Sequence, residues 1–271
     1  MPELPEVETT RRGIHAALVG RTVRAFDLRE PRLRWPVEAS LAEELAGQRV
    51  LDVGRRAKYL LIRLERGTLI AHLGMSGSLR IMPAGSARLP HDHYDLVLES
   101  GQCLRFNDPR RFGSLHWCTG DPREHVLLAG LGPEPLEPGF DAAYLARRAK
   151  GRKAAIKLFL MDQRIVVGVG NIYASEALFR AGVRPRRAAG RVTVAQWHRV
   201  VDAVRDVLAD AIRQGGTTLR DYISADGTPG YFRQELYVYE RGGQPCRRCS
   251  TPIRHLVQGQ RSTYFCPTCQ K

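Results

Sequence analysis

A chain of 271 residues is long enough for at least two domains with sizeable cores. Its 42 Lys and Arg against 28 Asp and Glu leave a formal charge of +14, which favours a polyanionic partner, nucleic acid above all. The absence of an 18-residue apolar run and of a separate basic amphipathic helix argues against a membrane partner. The acidic start does not fit a secretory signal, so a reducing cytoplasm is expected.

The first predicted element is a helix from Pro2 to about Val19. Leu4, Val7, Ile14 and Leu18 recur at helical spacing, with Gly20 placed to end it. Pro2 and Pro5 are compatible with its opening turn, where N–H groups lack intrahelical acceptors. Glu3 and Glu6 suit the positive helix end by less than about 1 kcal/mol each, which alone would explain them. From about Val23 to Trp117, β-forming runs at Tyr59 to Leu64, Thr68 to Leu73 and Tyr94 to Leu98 predict antiparallel strands in a sandwich or barrel. Lys58 falls mid-strand, where a lysine usually faces solvent. HLGMSGS (72–78) and NDPRRFG (107–113) put Met75, Arg110 and Phe112 on turns. Such side chains can wedge into an opened duplex or fold back onto the sandwich, and the sequence leaves both readings open. Cys103, Cys118, Trp35 and Trp117 are read as structural.

The turn-rich LGPEPLEPGF (131–140) marks a domain boundary. Beyond it, Gly168 and Gly170 precede Asn171, placed to cap a helix that closes at Gly182. With Lys153, Lys157 and Arg164 nearby, that helix start suits a phosphate, although glycines there equally serve a tight turn. A longer helix opens with the capping box Thr193-x-x-Gln196 and carries Trp197, Val200, Val201, Val204, Leu208 and Ile212 on one face.

Cys246-x-x-Cys249 and Cys266-x-x-Cys269, sixteen residues apart, have zinc-ribbon spacing. Four thiolates close a tetrahedral sphere, so one structural Zn2+ is expected, and a reducing cytoplasm disfavours the disulfide alternative. From Arg241 to Lys271 there are six Lys or Arg and no acid, which points to phosphate contact.

PELPEVET, RRAKYL, HLGMSGS, NDPRRFG, GVGNIYASE and the four-cysteine ribbon together, spanning residues 2 to 271, resemble the bacterial formamidopyrimidine-DNA glycosylases. The resemblance implies an α+β multidomain chain. An N-terminal helix and antiparallel β-sandwich would occupy 1–133, a helical domain with a helix-two-turn-helix motif 134–240, and the zinc finger 241–271. It implies base-excision repair of duplex DNA bearing oxidised purines, with strand nicking, by a monomer associated with the nucleoid. By matching positions, Pro2 freed of Met1 is the nucleophile, Glu3 the catalytic acid, Glu6 a second active-site carboxylate and Lys58 a phosphate-contacting active-site lysine. An α-amine pKa of roughly 8 leaves Pro2 partly unprotonated near neutrality. His72, Asn171 and Arg261 match phosphate contacts; Met75, Arg110 and Phe112 match the triad filling the flipped base's gap. Residues 215–232 match the loop closing over that base, with Arg220 where some relatives have lysine, and Tyr239-Glu240-Arg241 replaces a more usual Tyr-Gly-Arg. Two rivals remain: an endonuclease VIII-type glycosylase for oxidised pyrimidines, and a non-enzymatic zinc-ribbon DNA-binding protein.

Overall fold

The computed structural model describes residues 2–215 and 236–271; Met1, Arg220 and nearly all of 215–232 lie outside them. The chain forms two compact units, one within residues 1–129 and the other within residues 130–213 and 234–271. Among the described residues no helix is long and apolar enough to cross a membrane.

The first unit opens with α1 (Leu4–Leu18), whose Leu4, Val7, Ile14 and Leu18 are buried. Val19 leaves the helical conformation, and Gly20, at φ +80°, turns the chain so that its N–H donates to the Val50 carbonyl (2.8 Å). Eight strands follow: β1 (Val23–Leu28), β2 (Val50–Arg56), β3 (Tyr59–Leu64), β4 (Thr68–His72), β5 (Ser78–Pro83), β6 (Asp92–Leu98), β7 (Gln102–Asn107) and β8 (Ser114–Cys118). They pair antiparallel in two four-stranded sheets, ordered β1-β6-β7-β5 and β2-β3-β4-β8. The short α2 (Leu41–Leu45) lies in the β1–β2 connection. Alternate side chains of both sheets meet in one core, including Leu60, Ile62, Leu69, Leu96, Leu104 and Phe106, and α1 adds Val7, Ile14 and Leu18 to it. Because α1 touches β2 and β3 of one sheet and β5 of the other, its position is set by both. The sandwich is as expected, and Cys103 is buried in it.

One sheet carries a buried ion cluster. Arg105 on β7 donates through Nε and Nη2 to both oxygens of its cross-strand neighbour Asp95 (2.8 Å each) and approaches Asp92 (3.4 Å); Arg29 also reaches Asp95 (2.8 Å). Burial raises the Asp95 pKa, but the hydrogen bonds and charges of Arg105 and Arg29 outweigh it and hold the group below the ordinary aspartate value.

The second unit contains α3 (Ala142–Ala149), α4 (Ile156–Met161), α5 (Asn171–Ala181), α6 (Val194–Arg213) and the hairpin β9 (Arg254–Gln258) to β10 (Arg261–Phe265). Gly182, at φ +70°, ends α5 as expected. The α6 capping box forms, with Thr193 N–H donating to Gln196 (3.0 Å) and Gln196 N–H to Thr193 Oγ1 (3.2 Å). Trp197, Val200, Val201, Val204 and Leu208 are buried along one face. A smaller core of Phe179, Val238, Cys246, Ile253 and Cys266 joins α5 to the cysteine module.

Replacing Arg105 by Leu removes the bidentate partner of buried Asp95, leaving Arg29 as its remaining cation, and should destabilise the first unit by about 3 kcal/mol. A depressed aspartate contributes stability above its unfolded pKa that is lost as pH falls through the folded value. Urea melts between neutrality and pH ~3 should therefore show a flatter acid limb in the variant than in the parent.

Candidate active site and metal centre

The α1 start is not a frayed terminus. Pro2 and Glu3 are buried, Glu3 at 2% exposure, and Glu3 is the residue that caps the helix. Glu6 Oε2 accepts the Glu3 N–H (2.8 Å), the reciprocal arm of a capping box. Pro2 is thus followed directly by Glu3, whose backbone N–H is held by Glu6 from the first turn of the helix. Glu8, two positions on, pairs with Arg11 (2.9 Å) and Arg12 (2.8 Å) and receives Arg55 Nε from β2 (3.3 Å).

Lys58 departs from expectation. It lies in the two-residue turn between β2 and β3, and it is buried rather than solvent-facing. The preceding Ala57 takes φ +55°, and Arg55 Nη1 donates to its carbonyl (2.8 Å) while Arg55 Nε holds Glu8. Arg55 thus ties the Lys58 turn to α1; it lies in the RRAKYL motif, but only Lys58 of that motif was singled out in the sequence. Tyr59 stands opposite His72 in the β3–β4 register, their rings 4.8 Å apart. Burial, then the charges of Lys58 and Arg34, push the His72 pKa down to about 4. Its Nδ1 accepts the Gly74 N–H (2.9 Å), so the neutral ring carries its hydrogen on Nε2 and is a donor there.

The loops 72–78 and 107–113 are joined through Asp108, a fully buried carboxylate. It accepts Ser76 Oγ (2.7 Å), Gly113 N–H (2.8 Å) and Arg110 N–H (3.2 Å), and its carbonyl is 2.7 Å from His93 Nε2. The loops also approach closely at Gly74: at φ +70° a Cβ there would lie 2.4 Å from Gly113 N. Phe112 is 44% exposed with the Arg110 guanidinium 4.9 Å above its ring, and Met75 is half-buried on the partner loop. Phe112 therefore does not fold back into the sandwich. Asp108 was not singled out in the sequence, although an aspartate before proline in a turn with two glycine-bounded partners is a detectable signal.

In the second unit Asn171 is the first residue of α5, not its cap; Gly170 holds the cap position. The Asn171 Nδ2 is 3.5 Å from Tyr239 Oη, and its buried Oδ1 has no partner among the described residues. Two of the cations expected to draw phosphate there are engaged elsewhere. Lys157 is fully buried, its Nζ donating to Ser262 O (2.7 Å) and Thr263 Oγ1 (2.8 Å), and Arg164 pairs with Asp162 (2.9 Å). Glu176 on α5 accepts the N–H groups of Tyr237, Val238 and Tyr239 (2.8–2.9 Å) and so anchors the chain entering the cysteine module. Glu240 follows at φ +58°, the left-handed conformation that a glycine adopts without cost. Arg261, exposed, starts β10 immediately after the tight turn at Gly259 and Gln260.

The four cysteine Sγ atoms lie within 4.8 Å of one another, with separations of 3.4 Å (Cys249–Cys269), 3.5 Å (Cys249–Cys266) and 3.9 Å (Cys246–Cys269). A tetrahedral zinc with Zn–S of about 2.3 Å sets sulfurs about 3.8 Å apart, whereas a disulfide needs about 2.05 Å. The donor set therefore fits one structural zinc and leaves no position for substrate.

Family models match the chain in three parts: the formamidopyrimidine-DNA glycosylase N-terminal domain at residues 1–115, its H2TH domain at 131–222, and the zinc finger found in FPG and IleRS at 243–271. These define a zinc-finger DNA glycosylase architecture. Formamidopyrimidine-DNA glycosylases of Alkalilimnicola ehrlichii and Methylococcus capsulatus are each 58% identical to it, with full coverage of both chains. The crystal structure of Thermus thermophilus MutM (Fpg) superposes at TM-score 0.88 with 43% identity, covering 99% of this chain and 98% of that one. A Lactococcus lactis Fpg variant bound to Fapy-dG-containing DNA gives 0.93 with 32% identity and full coverage of both. The chain belongs to the formamidopyrimidine-DNA glycosylase family.

Two measurements follow from this geometry. NMR titration of the His72 ring should show the Nε2–H tautomer at neutrality and a midpoint near 4, with no change of charge between pH 5.5 and pH 8 (about one and a half to four units above that midpoint). Glu240→Gly should relieve left-handed strain and raise stability by about 1 kcal/mol, read as a higher Tm.

Proposed function

We propose that this chain removes oxidised purines, 8-oxoguanine and formamidopyrimidines, from duplex DNA with Pro2 as nucleophile. It is a base-excision-repair DNA glycosylase with AP lyase activity, it acts on damaged DNA, and it carries one structural zinc. The observation that supports Pro2 most directly is its burial with Glu3 at the cap of α1, where an ordinary chain end would be frayed.

Once Met1 is removed, the Pro2 nitrogen lone pair attacks the sugar C1′. The glycosidic bond breaks, and its electron pair leaves with the base, which takes up a proton. Glu3, next in chain, moves protons at the ring oxygen or departing base. The amine then loses its N–H proton and the C1′–O4′ bond breaks, its electron pair leaving on O4′, which is protonated. The iminium of a secondary amine that results carries a permanent positive charge, so it accepts the electrons of the C2′–H bond as that proton is lost and the C3′–O bond breaks to release phosphate. Glu6 fixes the Glu3 backbone. Lys58 and the Nε2–H of His72 contact phosphate beside the lesion, as do Asn171 and Arg261 from the second unit. Met75, Arg110 and Phe112 fill the gap left by the everted base, Arg110 facing the estranged cytosine. Arg220 contributes from a segment outside the described residues. The catalytic domain is assigned to 1–133, the helix-two-turn-helix domain to 134–240 and the zinc finger to 241–271, acting as a monomer in the cytoplasm, where cysteines stay available as metal ligands.

Borohydride should trap a covalent complex with an 8-oxoguanine duplex, and a form engineered to keep Met1 should trap none, because an amide nitrogen is not a nucleophile. Failure of the parent to trap would favour simple DNA binding, and faster excision from a thymine glycol duplex would favour a pyrimidine-directed enzyme.

A further inference from the structure

The second unit contains a cavity of about 730 Å³ that none of the roles above uses. Arg184, Arg186, Arg187, Arg191, Arg254 and Lys271 line it, with Phe265 and Ala188. Six cationic side chains and no acidic side chain therefore face one concavity. All but Arg187 are exposed, and none forms an ion pair among the described residues. Like charges so gathered repel, and only an anion relieves that repulsion.

The backbone beneath these cations is held firmly. Arg187 O accepts the Ile156 N–H (2.7 Å), Ala189 N–H donates to Ala154 O (2.8 Å), and Arg191 N–H donates to Ala188 O (2.9 Å). The Arg184 N–H donates to Lys271 O (3.2 Å), whose own N–H donates to Gly182 O (3.1 Å). Arg254 stands opposite Phe265 at the cysteine end of the hairpin, and the Arg184 guanidinium lies 5.7 Å from the Phe265 ring. The cations therefore project from fixed backbone on three segments that meet here.

The cavity is separate from Arg261. Arg261, Thr263 and Phe265 alternate onto one face of β10, with Arg261 about 13 Å from Phe265 along the strand. Thr263, between them, is fully buried against the Lys157 ammonium. A phosphate at Arg261 and an anion at Phe265 thus occupy opposite ends of a covered stretch.

We propose that this cavity is a second anion site, built for a run of adjacent phosphates rather than a single one. Five of the six cations are arginines, whose planar forks bind phosphate oxygens two at a time, and a cavity of this size has room for several phosphoryl groups. Two sources share that chemistry: a free polyphosphate, as in a nucleoside triphosphate, and the backbone of nucleic acid lying beyond the lesion.

The test is calorimetric titration of the full zinc-loaded chain with sodium tripolyphosphate at about 0.15 M salt. R186S/R191S should weaken binding about tenfold or more. R24S/R63S, which removes the same two charges from exposed positions of the first unit, should change it less than about threefold. Both variants should nick a short lesion duplex as the parent does. If R186S/R191S also weakens binding of a long lesion duplex but not a short one, the source is nucleic-acid backbone; if neither changes, it is free polyphosphate. Equal weakening in the two variants, undetectable tripolyphosphate binding, or hexaglutamate binding as tightly as tripolyphosphate would each overturn the proposal, the last pointing to an acidic protein segment.

Discussion

A nucleophile at the start of a chain has no preceding backbone to position it, so whatever holds it must come from the residues that follow. Here α1 meets that constraint. Its core residues Val7, Ile14 and Leu18 fix the helix against both sheets of the sandwich, and the Glu6 carboxylate binds the Glu3 N–H at its first turn. Proline adds to this because its ring ties the amine nitrogen to its own side chain and leaves few rotamers. The Glu8–Arg55–Ala57 chain then brings the buried Lys58 turn to the same helix. Loosening the packing of α1 would displace the amine and its acid together.

The wedge loops face the opposite difficulty, since side chains meant for a duplex cannot be packed in the core. Asp108 resolves it by burying a carboxylate beneath the loops and taking three hydrogen bonds from them, while Arg110 and Phe112 stay outside. Replacing several exposed contacts by one satisfied buried acceptor gives stiffness without covering the surface. Gly74 and Gly113 are part of the same arrangement, because either Cβ would collide with the neighbouring loop.

Periodicity made the elements legible: the buried positions of α1, the α6 capping box and the closure of α5 at Gly182 were all readable from spacing, as was the cysteine tetrad. Lys58 was not, because β2 and β3 are joined by only two residues and the apolar pattern runs through without a Gly or Pro to mark the turn. The Asn171 cap reading failed by one position, since Gly170 adopts the extended conformation a cap requires and leaves Asn171 inside the helix. Asp108 and Arg55 were missed although both lie inside quoted motifs, because each also reaches a side chain far away in sequence, Ser76 for Asp108 and Glu8 for Arg55, which no local pattern shows. The roles of Glu3 and Glu6 came from resemblance alone; a first-turn acid looks the same whether it serves a dipole or a reaction.

Charge illustrates the same point. A net charge of +14 states that cations are in excess, but not which of them face a ligand. Lys157 and Arg105 are consumed inside the protein, one fastening the zinc hairpin to α4 and the other neutralising Asp95 and Asp92. Arg29, Arg55 and Arg164 are likewise paired. The surplus left for a polyanion is therefore concentrated where carboxylates are absent, as at Arg184, Arg186, Arg191 and Arg254. It is the location of the acids, more than the number of bases, that determines where this surface can meet phosphate.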